Sequence, residues 1–456
     1  MRAILLQIGV AGAVVMSFLA SAGAARATDT PIELGSELTL QRAVELALQY
    51  HPARLAAQSE VGAAHERVGQ ARSALLPQVL GAAEYLRSTD NGIGDTSYLT
   101  PLGFPRYPSN GRNSNSADTF DNYLMGVSAY QYLFDFGRTR GVIDQRKAEA
   151  DLERARLAFV DLDLVFRVTD RYYALLAAKQ KVRVFDKAVA QRSEHLHEAE
   201  VKAEAGLKPE IDTYTAKAEL ARAKLHLVDA QNEVATAKVA LDNAMGLGAS
   251  APDYRQADVL TYEEITEPLD TYLQSAFRQR PDLQMLEDEA RAAGARIAEF
   301  KSDYLPSIGA TAGYSARGQD IPAANNFDVG VLVTWPIFNG FLTDHAVAEA
   351  KMHQDAIGHA IQDLRQRIFL QVKSGYLNWQ AARERIHRAE QTVAASRAEL
   401  DLAEKRYETG LGTIIELTDA QRRFTEDEAD YIDALAGFSI AKAALTRDTG
   451  AGPPQS

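Results

Sequence analysis

The chain is written twice. Pro281 follows Pro52 by 229 positions, and Leu305-Pro306 and Tyr314 follow Leu76-Pro77 and Tyr85 at the same interval. Further along the interval becomes 204: Phe134 matches Phe338, Val168 matches Val372, Tyr172 matches Tyr376, Gly206-Leu207 matches Gly410-Leu411, Ala237-Lys238 matches Ala441-Lys442 and Gly246 matches Gly450. The change of 25 residues falls between Tyr85 and Phe134, so one insertion accounts for it. That stretch carries Asn91-Gly92, Pro101, Pro105, Pro108, Asn110-Gly111 and Asn113-Ser114, which is loop chemistry. A duplication on this scale is the sign of a repeat architecture, in which each unit completes its core against its neighbour. The 456 residues are therefore one doubled unit, not two or three unrelated domains.

Each copy changes its apolar period part-way along. Phe327, Val329, Val331, Val333 and Trp335 alternate with Asp328, Gly330 and Thr334, and Tyr123, Met125, Val127 and Ala129 alternate likewise. Ile308, Ala310, Ala312 and Tyr314, and their counterparts Val79, Gly81, Ala83 and Tyr85, do the same after the Leu-Pro pairs. A period of two marks a strand with one apolar face. Each copy thus has a hairpin whose strands are about ten residues long, enough to cross a bilayer when tilted. A small soluble hairpin fits the strands equally well.

The remainder of each copy reads as rods. From Arg138 to about Ala203 there is no proline and the single glycine is Gly141; from Leu342 to Thr409 the glycines are Gly358 and Gly375. Runs of about 65 residues would form helices of about 100 Å, against an average near a dozen residues. Val165, Val168, Tyr172 and Leu175 set a three-four-three spacing that Phe369, Val372, Tyr376 and Trp379 repeat, the seam of helices packed side by side. Return helices follow at about 212–245 and 416–449, and shorter helical patterns precede the hairpins at 53–74 and 282–303. The resulting division is a first repeat over 28–250, with a hairpin at about 78–134, a loop at 88–119 and a helix pair at 138–246. The second repeat covers 251–456, with a hairpin at about 307–338 and a helix pair at 341–449.

Arg2, the apolar run Ile4 to Ala20 and the small-residue site Ala25-Arg26-Ala27 read as a secretory signal peptide over 1–27, which points to a bacterial cell envelope. With no cysteine, disulfides, thiolate metal sites, a cysteine nucleophile and an acylated cysteine anchor are excluded. With 49 basic against 62 acidic residues, net −13, the balance argues against nucleic acid as a partner. No Gly-x-Ser-x-Gly, Walker-type loop or zincin motif occurs, and His195 and His197 are two apart, on different helix faces. No cofactor or metal is called for, and the chain does not read as an enzyme. Four amphipathic strands cannot close a membrane barrel, because the smallest have eight, and open edges are not tolerated in lipid. If the strands enter a bilayer, several chains must share one barrel.

Three sets of residues then carry a resemblance. Leu38-Thr39-Leu40, Ala43, Ala47-Leu48 and His51-Pro52 form an opening, and Leu133-Phe134-Asp135 and Ile337-Phe338-Asn339-Gly340 form strand-to-helix junctions. Arg406-Tyr407-Glu408-Thr409-Gly410-Leu411, continuing through Glu416 and Asp419-Ala420-Gln421, forms a turn between long and return helices. In order, spacing and duplication the mature chain resembles the TolC family of outer-membrane efflux and secretion channels. The resemblance implies an α+β membrane protein, a tandem-duplicated protomer of four strands and long helices. Three copies would form a twelve-stranded outer-membrane β-barrel continued by a periplasmic α-helical barrel. It implies a passive exit duct in the outer membrane of a Gram-negative cell. The duct would serve a tripartite efflux pump or type I secretion system, with a periplasmic adaptor (membrane fusion) protein and an inner-membrane transporter of the RND or ABC type. It implies that Gly206, Leu207, Gly410 and Leu411 form the adaptor docking tip and that Asp212, Tyr407, Glu416 and Asp419 belong to the periplasmic gate.

The residues alone leave the tip open to a second reading. Thr413-Ile414-Ile415-Glu416 is also a capping box, and first-turn acids complement a helix dipole. Pro209 and Glu210 do the same in the first copy. Gly412 stands where the family's best-known gate has a basic residue, with Lys208 the candidate substitute from the other copy. A periplasmic coiled-coil adaptor or scaffold, with hairpins that never enter lipid, is the alternative to the channel. An adaptor has one helical hairpin flanked by soluble β domains, so two full copies of hairpin and rods favour the channel.

Overall fold

The computed structural model describes residues 37–89, 119–248, 251, 253–262, 267–318 and 324–451. The leader at 1–27 and the inserted loop from 90 to 118 lie outside them. A small unit holds a parallel pair of two-residue strands, β1 (Glu37–Leu38) and β4 (Arg255–Gln256), closed by the Ala257 N–H donating to the Leu38 carbonyl at 3.1 Å. Everything that follows belongs to the other unit, residues 39–251 and 258–456.

Its first half runs α1 (Leu40–Tyr50), α2 (Pro52–Ser73), β2 (Gln78–Thr89), β3 (Thr119–Phe134), α3 (Arg138–Glu204) and α4 (Glu210–Ala244). Its second half runs α5 (Leu269–Gln279), α6 (Pro281–Ser302), β5 (Ser307–Gly318), β6 (Ala324–Thr334), α7 (Leu342–Glu408) and α8 (Ile414–Asp448). The halves match in length: α3 and α7 each have 67 residues, α4 and α8 each 35. At 1.5 Å per residue a 67-residue helix is about 100 Å long. No helix among the described residues is both long and apolar enough to cross a membrane.

A seven-residue spacing holds the rods together. On α3, Gly141, Ala148, Ala155, Leu162, Thr169 and Leu176 are buried; on α7, Val372, Trp379, Ile386, Leu400 and Tyr407 are, with Ile368, Ala382, Ser396 and Ala403 on the adjoining line. This is the periodicity that keeps one seam facing a partner helix along its whole length. Small residues near the start of α3 allow close approach, and a Cβ on Gly141 would lie 3.0 Å from the Glu299 Cα of α6. Larger residues fill the middle: Val168, Tyr172 and Leu175 are fully buried, and Trp379, Phe438, Ile368 and Val372 form the main core of the second half. Phe369 departs from the expected seam. It is 46% exposed, with the Lys373 ammonium 5.7 Å from its ring centre.

Helix α3 packs on α4 and α8, and α8 on α7, so α4 and α7 are the outer helices of the set. On α4 the residues Ile211, Tyr214, Leu225, Val228 and Val239 all lie exposed on one seven-residue pattern, with Ala218, Ala221 and Ala235 between them. A second apolar seam of this regularity has no partner among the described residues.

The start of α1 is tied to α3 by one carboxylate. Asp258 accepts the Tyr172 hydroxyl at 2.5 Å and the Leu40 N–H, at the start of α1, at 2.8 Å. Burial first, and the hydrogen bond to Asp258 second, push the Tyr172 phenol well above its ordinary pKa. Asp258→Ala, which takes the acceptor from both donors, should lower stability by about 1–3 kcal/mol. Tyr172→Phe should cost less. Thermal melts of the two variants followed by circular dichroism check the order.

Candidate functional site

The four long strands form one antiparallel sheet in the order β2-β3-β5-β6. Its register stacks the alternating apolar residues on one face. Tyr85 lies opposite Tyr123, Ala83 opposite Met125, Val127 opposite Tyr314, Tyr314 opposite Phe327 and Ala312 opposite Val329. That face is uncovered, with Phe327 79% and Val329 80% exposed. The opposite face is mixed: Leu80, Leu86, Leu124 and Leu332 lie on it among Glu84, Ser128, Tyr130, Thr311, Ser315, Asn326, Asp328 and Thr334. Glycine at 309 and 313 makes room on it, since a Cβ at either position would meet the Tyr130 ring or the Asp328 carboxylate under 3.0 Å. A sheet with one apolar face, and with its polar residues gathered on the other, matches lipid on one side and water on the other. Within the described residues β2 and β6 each pair on one side only.

At one end of the sheet both rods begin, through turns that contain a bulky residue in the left-handed region. Phe136 (φ 53°) precedes Gly137 (φ 98°) in the first half; in the second, Gly340 (φ 67°) precedes Phe341 (φ 64°). The same two left-handed positions are used with phenylalanine and glycine exchanged. The strained residue costs about 1–2 kcal/mol. Side chains offset this: Asp135 accepts the Gly137 and Thr139 N–H groups at 3.1 and 2.8 Å, and Asn339 donates to the Thr343 hydroxyl at 2.7 Å. Both rings point outward and pack edge-on against Phe134 and Phe338 at centroid distances of 4.6 and 5.6 Å. With Trp335 and Ile337, also exposed, they make an aromatic rim where the apolar face ends, the composition favoured where a bilayer meets water.

At the far ends of the rods, two tight reversals have the same hydrogen bonds. The Leu207 N–H donates to the Lys202 carbonyl and the Gly206 N–H to Ala203, both at 2.9 Å; Leu411 donates to Arg406 at 2.9 Å and Gly410 to Tyr407 at 3.2 Å. Gly206 and Gly410 have φ of 71° and 77°, so each rod ends in a Schellman cap. Leu207 and Leu411 are left 74% and 76% exposed.

The predicted gate residues fall into two groups. Tyr407 is only 3% exposed and Asp212 is buried as well. The Tyr407 hydroxyl makes no hydrogen bond of good geometry; burial, then the Asp212 and Glu198 charges, raise its pKa to about 12. The Lys208 and Lys202 ammonium groups lie 4.5 and 5.6 Å from the centre of the same ring. Glu416 and Asp419 are instead half exposed and paired with arginines, Arg406 to Glu416 at 3.4 Å and Arg422 to Asp419 at 3.7 Å. Only half of the expected capping box forms: Thr413 Oγ1 accepts the Glu416 N–H at 3.2 Å, while the Glu416 carboxylate turns to Arg406. The sequence reading missed both arginines. Arg422, three positions after Asp419, was legible from helical spacing; Arg406 meets Glu416 across the turn and was not. His195, set aside as a ligand, lies between Glu198 and Glu404 at 3.7 and 3.9 Å. No cluster fit to hold a metal ion occurs among the described residues.

The profile of the outer membrane efflux protein family matches residues 43–247 and 272–451. The chain belongs to that family. Among its relatives are Protein CyaE of Bordetella pertussis, 25% identical over 86% of this chain and 79% of the relative, and the outer membrane protein TolC of Escherichia coli, 23% identical over 90% and 84%. The toluene efflux pump outer membrane protein TtgC of Pseudomonas putida is 25% identical over 73% of this chain and 70% of its own. Solved structures of CusC and of the CmeC outer membrane channel of Campylobacter jejuni share the fold. Both have TM-scores of 0.77 and 18% identity over 91% of this chain, and 92% and 86% of theirs. As a member of this family the chain is an outer-membrane channel protein, an exit duct of efflux or secretion systems and not an enzyme.

The Tyr407 environment gives a pH signature for this efflux protein. A phenol whose folded pKa lies above its unfolded value favours the neutral form, so stability is lost as pH rises from about 10 towards 12. Tyr407→Phe cannot ionise, so its melting temperature should fall less than that of the unaltered protein across that window.

Proposed function

We propose that three copies of this chain form one channel, with a twelve-stranded barrel in the outer membrane and a tunnel of helices in the periplasm. The observation that carries this reading is the four-stranded sheet with an uncovered apolar face and two unpaired edges. In lipid an unpaired edge costs several kcal/mol for each unsatisfied group, so β2 of one copy pairs with β6 of the next. The helices repeat the pattern: the exposed seam of α4 packs on α7 of the next copy, which presents Met352, Leu370, Leu377 and Leu402. Leu225→Glu, a charge placed in that seam, should convert trimers to monomers. Heat-modifiable migration in detergent gels of outer-membrane extracts reads the outcome, and unchanged trimers would remove α4 from the interface.

The duct is passive, and its energy comes from an inner-membrane transporter of the RND or ABC type joined to it by a periplasmic adaptor. The exposed Leu207 and Leu411, held outward by the Gly206 and Gly410 caps, are the adaptor's docking points. The name of one relative supports the efflux branch, since TtgC is a toluene efflux pump outer membrane protein, and type I secretion would use the same tunnel.

Asp212, Tyr407, Glu416 and Asp419 form the periplasmic gate. A threefold axis brings three copies of each exposed carboxylate near one another, which favours cations in the aperture. Asp419→Ala should raise single-channel conductance in planar bilayers and weaken block by multivalent cations. With conductance and block both unchanged, Asp419 would be left as a helix-surface acid paired with Arg422.

A further inference from the structure

Tyr407 belongs to the second hairpin, in the last turn of α7, yet the charged groups around it come from the first. Lys202 and Glu198 lie in the last two turns of α3, Lys208 in the reversal itself, and Asp212 in the first turn of α4. Lys202 and Glu198 are themselves ion-paired, which fixes one ammonium beside the ring. Lys208 is half-buried although Gly206, Leu207, Pro209 and Glu210 around it are exposed, because its stem folds over the ring. In the second hairpin the cations of the last turn are Lys405 and Arg406. Its turn has Gly412 at the position of Lys208, and Arg406 is occupied by Glu416 and by the Leu411 carbonyl at 3.3 Å. Nor is the arrangement repeated by the duplication, since the position of Tyr407 in the first copy is Ala203. Each protomer thus carries one such contact, between its own two tips.

We infer that Lys208, assisted by Lys202, clamps the face of the Tyr407 ring and so holds the two helical tips of a protomer together in the closed aperture. Lys208 is then a positioning residue for gating, supplying from the first hairpin the positive charge that the Gly412 turn lacks. The attraction of an ammonium for a ring face needs the aromatic face and not the hydroxyl, which separates the clamp from any tie between the hydroxyl and Asp212. Parting the tips has to draw the ring away from both lysines at once. This inference rests on reading the tip as the gate.

The test is single-channel recording of purified full-length trimers in planar bilayers. Lys208→Gln should shift the closed-to-open ratio towards open by roughly two- to fivefold per protomer, the range expected for a partly exposed cation over a ring. Lys208→Arg, which keeps the cation, should behave as the unaltered channel. In a Tyr407→Phe background Lys208→Gln should still have its effect; in a Tyr407→Leu background it should have none. An unchanged ratio for Lys208→Gln alone, or an equal effect of it in the Leu background, overturns the clamp. Asp419→Ala separates the two levels of the argument. If it alters conductance while Lys208→Gln does not, the clamp fails and the gate stands; if neither alters conductance or cation block, both fail.

Discussion

Everything in this molecule follows from the demand that backbone N–H and C=O groups facing lipid be paired. A strand satisfies half of that demand with each neighbour, so a sheet of four strands always presents two hungry edges. The apolar face from Val79 across to Val333 places those edges where water cannot serve them. Closure by further copies is the available answer, and the helices have to agree with it. They do: α4 and α7, the outer helices of the set, are also the ones with unpartnered apolar residues. Sheet and helices therefore call for neighbours in the same way, which a soluble coiled-coil scaffold would have no reason to do.

Duplication supplied the frame, and divergence between the copies supplied the chemistry. Lengths of corresponding rods are identical, and the caps at Gly206 and Gly410 use the same hydrogen bonds. Side chains differ along most of the rods, and at both ends the differences change the local chemistry. At the sheet end phenylalanine and glycine exchange places over one pair of left-handed residues, and both solutions still turn a ring outward to the rim. At the tip, Tyr407 faces Ala203 in the alignment of the copies and Lys208 faces Gly412. The backbone is thus nearly twofold, while the side chains at the tips are not. A tunnel wall can be built from equal halves, but an attraction between two tips needs unlike partners.

Much of the fold class was open to reading because its signals are local. Alternation by two at Phe327 to Val333 needs no knowledge of what lies opposite, and neither does the long absence of proline after Arg138. The seam was read correctly at Val168, Tyr172 and Leu175, and it failed at Phe369, which shares the spacing but lies exposed. Spacing says which residues share a stripe, and packing decides how wide the buried stripe is. For the tip the reading picked out carboxylates and missed their arginines. Glu416, expected in the gate by resemblance, also had a second reading as the acid of a capping box, but the Arg406 guanidinium across the turn takes that carboxylate.

By itself, then, the sequence determined the doubled unit, the strands with one apolar face, the rods and the family resemblance, because each depends on residues a few positions apart. The tertiary structure alone decided which helices end at the margins of the set, that both sheet edges lack a partner among the described residues of one chain, and that Tyr407 lies beneath Lys208. Tyr407 and Lys208 are separated by nearly half the chain. No periodicity links them; only the packing of one half against the other brings the ring under the ammonium group, and that contact distinguishes the two otherwise equal tips.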